Sequence, residues 1–126
     1  MNKAELDQLA ERVIGLAIEV HRHLGPGLLE SIYEAALCHE LTAAGLPFER
    51  QKALPVIYKG QTLGEFRADL VVGNALLLEL KSVERHEPLF EAQVLTYLKI
   101  SHLQLGLLLN FNTRLLKDGI KRLILT

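Results

Sequence analysis

The chain has 126 residues, 49% hydrophobic and 23% charged, and its fourteen Lys and Arg against fifteen Asp and Glu leave a net charge of −1. This fits one folded domain over residues 1–126, excludes a disordered chain, and excludes a protein that grips nucleic acid through a broad basic surface. Cations held by a cluster of carboxylates would still reverse the sign at one site.

The opening "MNKAELDQLAERV" is charged throughout and lacks the apolar centre of a leader, and the single Cys38 has no internal disulfide partner. No apolar stretch approaches the ~20 residues of a membrane span. The expectation is a cytoplasmic protein with no membrane partner. Between positions 5 and 24, Leu6, Leu9, Val13, Leu16, Ala17, Val20 and Leu24 recur at the spacing of one helical stripe. "GPG" at 25–27 breaks that helix, and a second runs from about residue 28 to 44 and stops at Gly45.

The segment from Phe48 to Val83 alternates apolar and polar residues and is punctuated by Lys59-Gly60 and Gly73-Asn74, which predicts three antiparallel strands. "EPLFEAQVLTYLKISHL" returns to helical period, and "QLGLLLNF" is a continuous apolar run suited to a buried strand. In "RLLKDGIKRLIL", Asp118-Gly119 between two apolar runs predicts a closing hairpin. The fold class expected is α/β (α+β), a central mixed sheet flanked by helices in the order α-α-β-β-β-α-β plus the C-terminal hairpin. There is no internal repeat.

"EFRADLVVGNALLLELKSVE" places two acids and a lysine among strand-forming apolar residues. Side chains alternate along a strand, so Glu79 and Lys81 share a face, and a symmetrical turn at Gly73-Asn74 brings Asp69 alongside. One explanation is a structural cross-strand ion cluster, worth roughly 0.2–1 kcal/mol. Against it, two acids and one amine leave a negative charge in an apolar setting that needs a partner.

Asp69, nine residues, then Glu79-Leu80-Lys81 resembles the D-x(n)-[DE]-x-K core of the PD-(D/E)xK nucleases. "GLLESIY" at 27–33 reads G-x-x-E-x-x-Y and resembles the bacterial GxxExxY family of that superfamily, and "QVLTYL" at 93–98 is similar to the Q-x-x-x-Y of RecB-type nucleases. The "HRHLGPG" lead-in and the "LLLNFN…LLKDGIKR" ending extend the resemblance over almost the whole chain. It implies a restriction-endonuclease-like fold and a metal-dependent nuclease that hydrolyses phosphodiester bonds in DNA, with RNA the less favoured of the two alternatives. The alternative from another class is a non-catalytic nuclease-fold module that binds or regulates a partner.

In active relatives, the resemblance implies, the acids matching Asp69 and Glu79 hold Mg²⁺ or Mn²⁺ together with the strand carbonyl at Leu80, and Glu30 adds a carboxylate from its helix. Lys81 orients the attacking water or offsets phosphate charge, Gln93 bonds near the lysine or the water, and Tyr97 braces the site or touches the nucleic-acid backbone.

Plainer roles stand beside these. Glu30 suits the first turn of a helix whatever else it does. Tyr33 fits a core position, and Gln93 an ordinary helix surface. His21, a metal ligand in some RecB-type relatives, fits equally as a helix-end cation. Arg67, on the face of Asp69, either meets a phosphate or neutralises the acids. Lys117, Lys121 and Arg122 read as solvated charges that deter edge pairing. A homodimer would double the contact with a duplex, but no residue demands one.

Overall fold

In the computed structural model, which describes residues 1–126, Asn2 starts helix α1 (Lys3–Leu24). Its side chain accepts from the Glu5 N–H at 2.8 Å, and the Glu5 carboxylate accepts from the Asn2 N–H at 3.2 Å, a reciprocal capping box. Leu9, Ala10, Val13, Ala17 and Val20 form the buried stripe that the periodicity predicts. No helix is long and apolar enough to cross a membrane.

Helix α2 (Glu30–Ala43) begins later than expected, because Leu28 and Leu29 belong to the turn that follows Gly25. Tyr33 fixes that turn. Its hydroxyl donates to the Gly25 carbonyl at 2.5 Å and accepts from the Leu28 N–H at 3.1 Å, while its ring stacks on Phe111 with centroids 4.4 Å apart.

Five strands follow: β1 (Phe48–Tyr58), β2 (Gln61–Val72), β3 (Leu76–Lys81), β4 (Leu105–Asn110) and β5 (Ile120–Ile124). They lie in the order β1-β2-β3-β4-β5, all antiparallel except β3 and β4, which helix α3 (Pro88–Ser101) connects as a crossover. At the β1–β2 turn Lys59 and Gly60 both take positive φ, 48° and 80°, between the paired Tyr58 and Gln61.

The C-terminal hairpin has its arms in β4 and β5 and not within residues 114–125 as expected. Leu116 is drawn into the core, so residues 116–119 form a 3₁₀ turn in place of a strand. The chain passes so close to β4 here that a Cβ on Gly119 would sit 2.2 Å from the Asn110 carbonyl oxygen.

The sheet is covered on both faces. Leu70, Val72, Leu76, Leu78, Leu80, Leu105, Leu107 and Leu109 pack against α1 and α2. Val71, Leu77 and Leu108 pack against Val94, Tyr97 and Leu98 of α3. Alternation from Leu77 therefore puts Glu79 and Lys81 on the α3 side.

Candidate active site

The β2–β3 ladder pairs Val72 with Leu76, Val71 with Leu77 and Leu70 with Leu78, and then opens. Where Asp69 and Glu79 would continue it, their carboxylates take the place of the missing carbonyls. The Asp69 N–H donates to Glu79 Oε1 at 3.0 Å, and the Leu80 N–H donates to Asp69 Oδ2 at 2.8 Å. Within a strand the N–H and C=O of one residue point to the same edge, so the Leu80 carbonyl faces this opening too. The Lys81 carbonyl points the other way and accepts from the Phe111 N–H at 2.9 Å.

Glu79 is only 5% exposed. Burial, and then the neighbouring Asp69 charge, push its carboxyl up to about 8, against the opposing pull of the Asp69 N–H and Lys81. Burial also raises Asp69, opposed by its bonds from the Leu80 N–H and Gln51. A structural ion cluster would need Lys81 to pair with these acids. It does not: none of the molecule's ion pairs includes Lys81. Its Nζ lies instead 4.7 Å from the centroid of the Phe90 ring.

Helix α3 brings Gln93 and Tyr97 to the same place, one turn apart. Gln93 Nε2 donates to the Tyr97 hydroxyl at 3.0 Å. Burial first, and then the charges of Glu79 and Asp69, hold that hydroxyl in its protonated form to higher pH than usual. Arg67 is exposed and engaged elsewhere, donating to the Gln51 carbonyl at 3.0 Å and to Glu65 at 3.1 Å.

Three residues proposed from sequence are not brought to the acid pair. Glu30 is exposed and makes no side-chain hydrogen bond, and no three His, Cys, Asp or Glu side chains converge anywhere, so Glu30 does not complete a three-carboxylate cluster. The reason is position along the helix axis: α2 starts at Glu30, which leaves that residue at the exposed mouth of the helix. Tyr33 is fully buried and closes the α1–α2 turn. The His21 ring is buried, with Nε2 2.8 Å from the Thr113 carbonyl oxygen and the ring 6.3 Å from that of Phe111.

Glu34, one turn beyond Glu30, is the α2 acid that reaches the strands. It is 7% exposed, accepting from Arg50 Nε and from Gln51 Nε2, both at 2.7 Å. Gln51 Nε2 also lies 3.2 Å from Asp69 Oδ1 and so links the two acids. The Gln51 backbone is in the left-handed region at φ 51°, between the paired positions Arg50–Leu70 and Lys52–Ala68. Across it β2 changes face: Ala68 packs on the α3 side and Leu70 on the other, although alternate residues of a flat strand share a face. A sequence clue to Glu34 exists, since Tyr33, Glu34, Leu37, Cys38 and Leu41 form the buried stripe of α2. Nothing in the local sequence marks Gln51.

The strand opening is thus lined by an acid pair and a lysine outside any ion pair, and braced by a crossover helix that carries glutamine and tyrosine. The sequence matches the family described as the PD-(D/E)XK nuclease superfamily over residues 7–123, and the chain belongs to it. No curated protein and no solved structure matches it significantly.

The residues present fit a hard divalent cation. Two carboxylates whose pKa values burial raises, beside a strand carbonyl on the same edge, are oxygen donors short of positive charge. With two side-chain ligands and not three, the rest of such an ion's shell would fall to water and phosphate oxygens, as Mg²⁺ commonly accepts.

Proposed function

We propose that the protein is a metal-dependent nuclease of the GxxExxY type that hydrolyses phosphodiester bonds in DNA, with RNA as the alternative substrate. The observation that carries this reading is the acid pair at the strand opening, Glu79 buried and Asp69 half-buried, with a lysine on the same face that neither acid pairs with. Such a site is unfavourable in an empty fold and suited to a ligand that brings positive charge to the carboxylates and negative charge to the lysine.

Asp69, Glu79 and the Leu80 carbonyl would hold Mg²⁺ or Mn²⁺. Bound there, the ion supplies Lewis acidity toward the phosphate and lowers the pKa of water. Lys81, held over Phe90, is free to orient the attacking water or to offset charge on the phosphate. Gln93 keeps the Tyr97 hydroxyl fixed against the acids. Glu34 and Gln51 hold the Asp69 carboxylate from the other side, and Arg50 compensates Glu34.

The net charge of −1, without a basic excess to grip nucleic acid, favours a second reading, a nuclease-fold module that binds or regulates a partner without cutting. One experiment separates the two: labelled single-stranded, duplex and branched DNA and RNA are incubated with Mg²⁺ or Mn²⁺, and metal binding is followed by calorimetry. Cleavage that disappears in Asp69→Asn supports the nuclease. Failure to cut any substrate and to bind either ion sinks it.

A further inference from the structure

Beside Lys81, between the loop after β3, helix α3 and the β4–β5 connection, lies a cavity of about 180 Å³ whose lining includes Lys81, Phe90, Asn110 and Lys121. Lys121 stands on the same sheet face as the acids, because Glu79 is opposite Leu108 in β4 and Leu108 is opposite Lys121 in β5. Two strand spacings put its backbone roughly 10 Å from that of Glu79, a gap that the lysine side chain shortens. Like Lys81, it takes part in none of the ion pairs.

The other polar groups are largely committed. Asn110 accepts from the Val83 N–H at 3.2 Å and the Asn112 N–H at 3.1 Å, and donates to the Val83 carbonyl at 3.0 Å, so it fixes the wall. His86 is engaged with Glu91 at 2.5 Å. Glu84 and Asp118 also line the cavity, and like Lys121 they are exposed, so solvent screens those three charges alike, whereas Lys81 is half-buried and less screened. A fixed cavity with two unspent ammonium groups, beginning at the proposed reaction site, has the chemistry of an anion subsite.

We propose that this cavity holds a phosphate group of the substrate strand next to the one presented to Asp69 and Glu79, with Lys121 as its main counter-charge. This rests on the nuclease reading of the acid pair and adds to it a specific contact on one side of the cut. An internal phosphodiester and a terminal monophosphate carry the same charged oxygens, and the test distinguishes them.

Binding of a labelled oligonucleotide is measured by fluorescence anisotropy across a salt series, with Ca²⁺ in place of Mg²⁺ to hold back cleavage. Wild type is compared with Lys121→Gln and with Lys117→Gln, which removes an equal charge from an exposed residue of the preceding 3₁₀ turn that does not line the cavity. Loss of one phosphate contact lowers the slope of log affinity against log salt by ~0.7–0.9, and that fall is expected in Lys121→Gln but not in Lys117→Gln. A neutral methylphosphonate at one internal position, or removal of a terminal phosphate, should weaken wild type and Lys117→Gln yet leave Lys121→Gln unchanged. Which of the two changes acts identifies the source of the phosphate. If every such change weakens wild type and Lys121→Gln equally, the subsite is overturned while cleavage by wild type still supports the nuclease. If wild type binds no oligonucleotide, both proposals fall.

Discussion

The two faces of the sheet are built for different ends. Against α1 and α2 the sheet helps to bury a cluster of nineteen residues, in which leucines from β2, β3 and β4 meet the stripes of both helices. Against α3 the corresponding cluster has eight residues, and at Tyr97 it gives way to Asp69, Glu79, Lys81 and Gln93. The first face can satisfy itself by apolar burial. The second places ionisable groups where burial disfavours their charge, a cost that the larger core offsets. Strain and polarity concentrate at functional sites for this reason, and a single sheet keeps them apart from the groups that secure the fold.

If the division holds, truncation on the first face should act on stability alone. Leu37→Ala removes a fully buried side chain of α2 and should cost ~2–5 kcal/mol in urea unfolding. Activity per folded molecule should be preserved. A large loss of turnover in protein shown to be folded would mean that the faces are coupled.

Lys81→Ala makes the opposite cut. The lysine has no ion pair to lose, so the melting temperature should hardly move, and metal binding should survive because both carboxylates remain. Cleavage should fall by ~10²–10³, the usual consequence of losing one electrostatic contact in the transition state. Equal rates for variant and wild type would remove Lys81 from the mechanism, and a marked loss of stability would restore it to a structural role.

Glu79 offers a test by pH. Its carboxyl titrates near 4.5 in the unfolded chain and holds its proton to about 8 in the fold. Between those values the unfolded state binds fewer protons than the native one, so without metal this group's contribution to stability is full below about 4.5 and is lost as pH rises toward 8. Glu79→Gln should abolish that slope and leave the metal-free protein more stable than wild type at pH 8, by at most a few kcal/mol. The same substitution should remove the stabilisation that Mn²⁺ gives wild type, which needs the ionised carboxylate. Wild-type stability that does not change between pH 5 and 8 without metal would sink this account.

The acid pair was legible because it depends on local rules. Alternation places Glu79 and Lys81 on one face, and the Gly73-Asn74 turn sets a register in which Leu70 meets Leu78, so Asp69 falls beside Glu79. The helical stripe of α1 and the tight turn at Lys59-Gly60 follow from equally short patterns. What escaped depends on contacts between distant elements. Whether Glu30 or Glu34 reaches the strands is decided by where α2 begins, and that is fixed by Tyr33 bonding back to the Gly25 carbonyl. The form of the closing hairpin turns on Leu116 entering the core and on Gly119 passing the Asn110 carbonyl. Gln51 is the extreme case, since a glutamine within a predicted strand gives no hint of a left-handed backbone or of two acids awaiting its amide.

Gln51 also supplies the smallest of the expected effects and the finest probe of how the two faces join. A non-glycine residue in the left-handed region costs roughly 1–2 kcal/mol, and Gln51→Gly should recover much of that. The substitution also removes the amide that bonds Glu34 and Asp69, and a hydrogen bond to a charged group contributes ~1.5–3 kcal/mol. The two changes oppose each other, so the net shift in stability should be only ~1 kcal/mol, toward destabilisation. The informative readout is the pH profile of cleavage. The bond from Gln51 lowers the Asp69 pKa against the burial that raises it, so its loss should let that pKa rise and move the acid limb of the profile to higher pH. The limb should keep its place in Lys52→Gln, a control on the neighbouring residue of β1, whose ammonium pairs with Glu49. If Gln51→Gly changes stability and leaves the acid limb where it was, Gln51 serves only to turn the strand, and the link from Glu34 to Asp69 has no part in the chemistry.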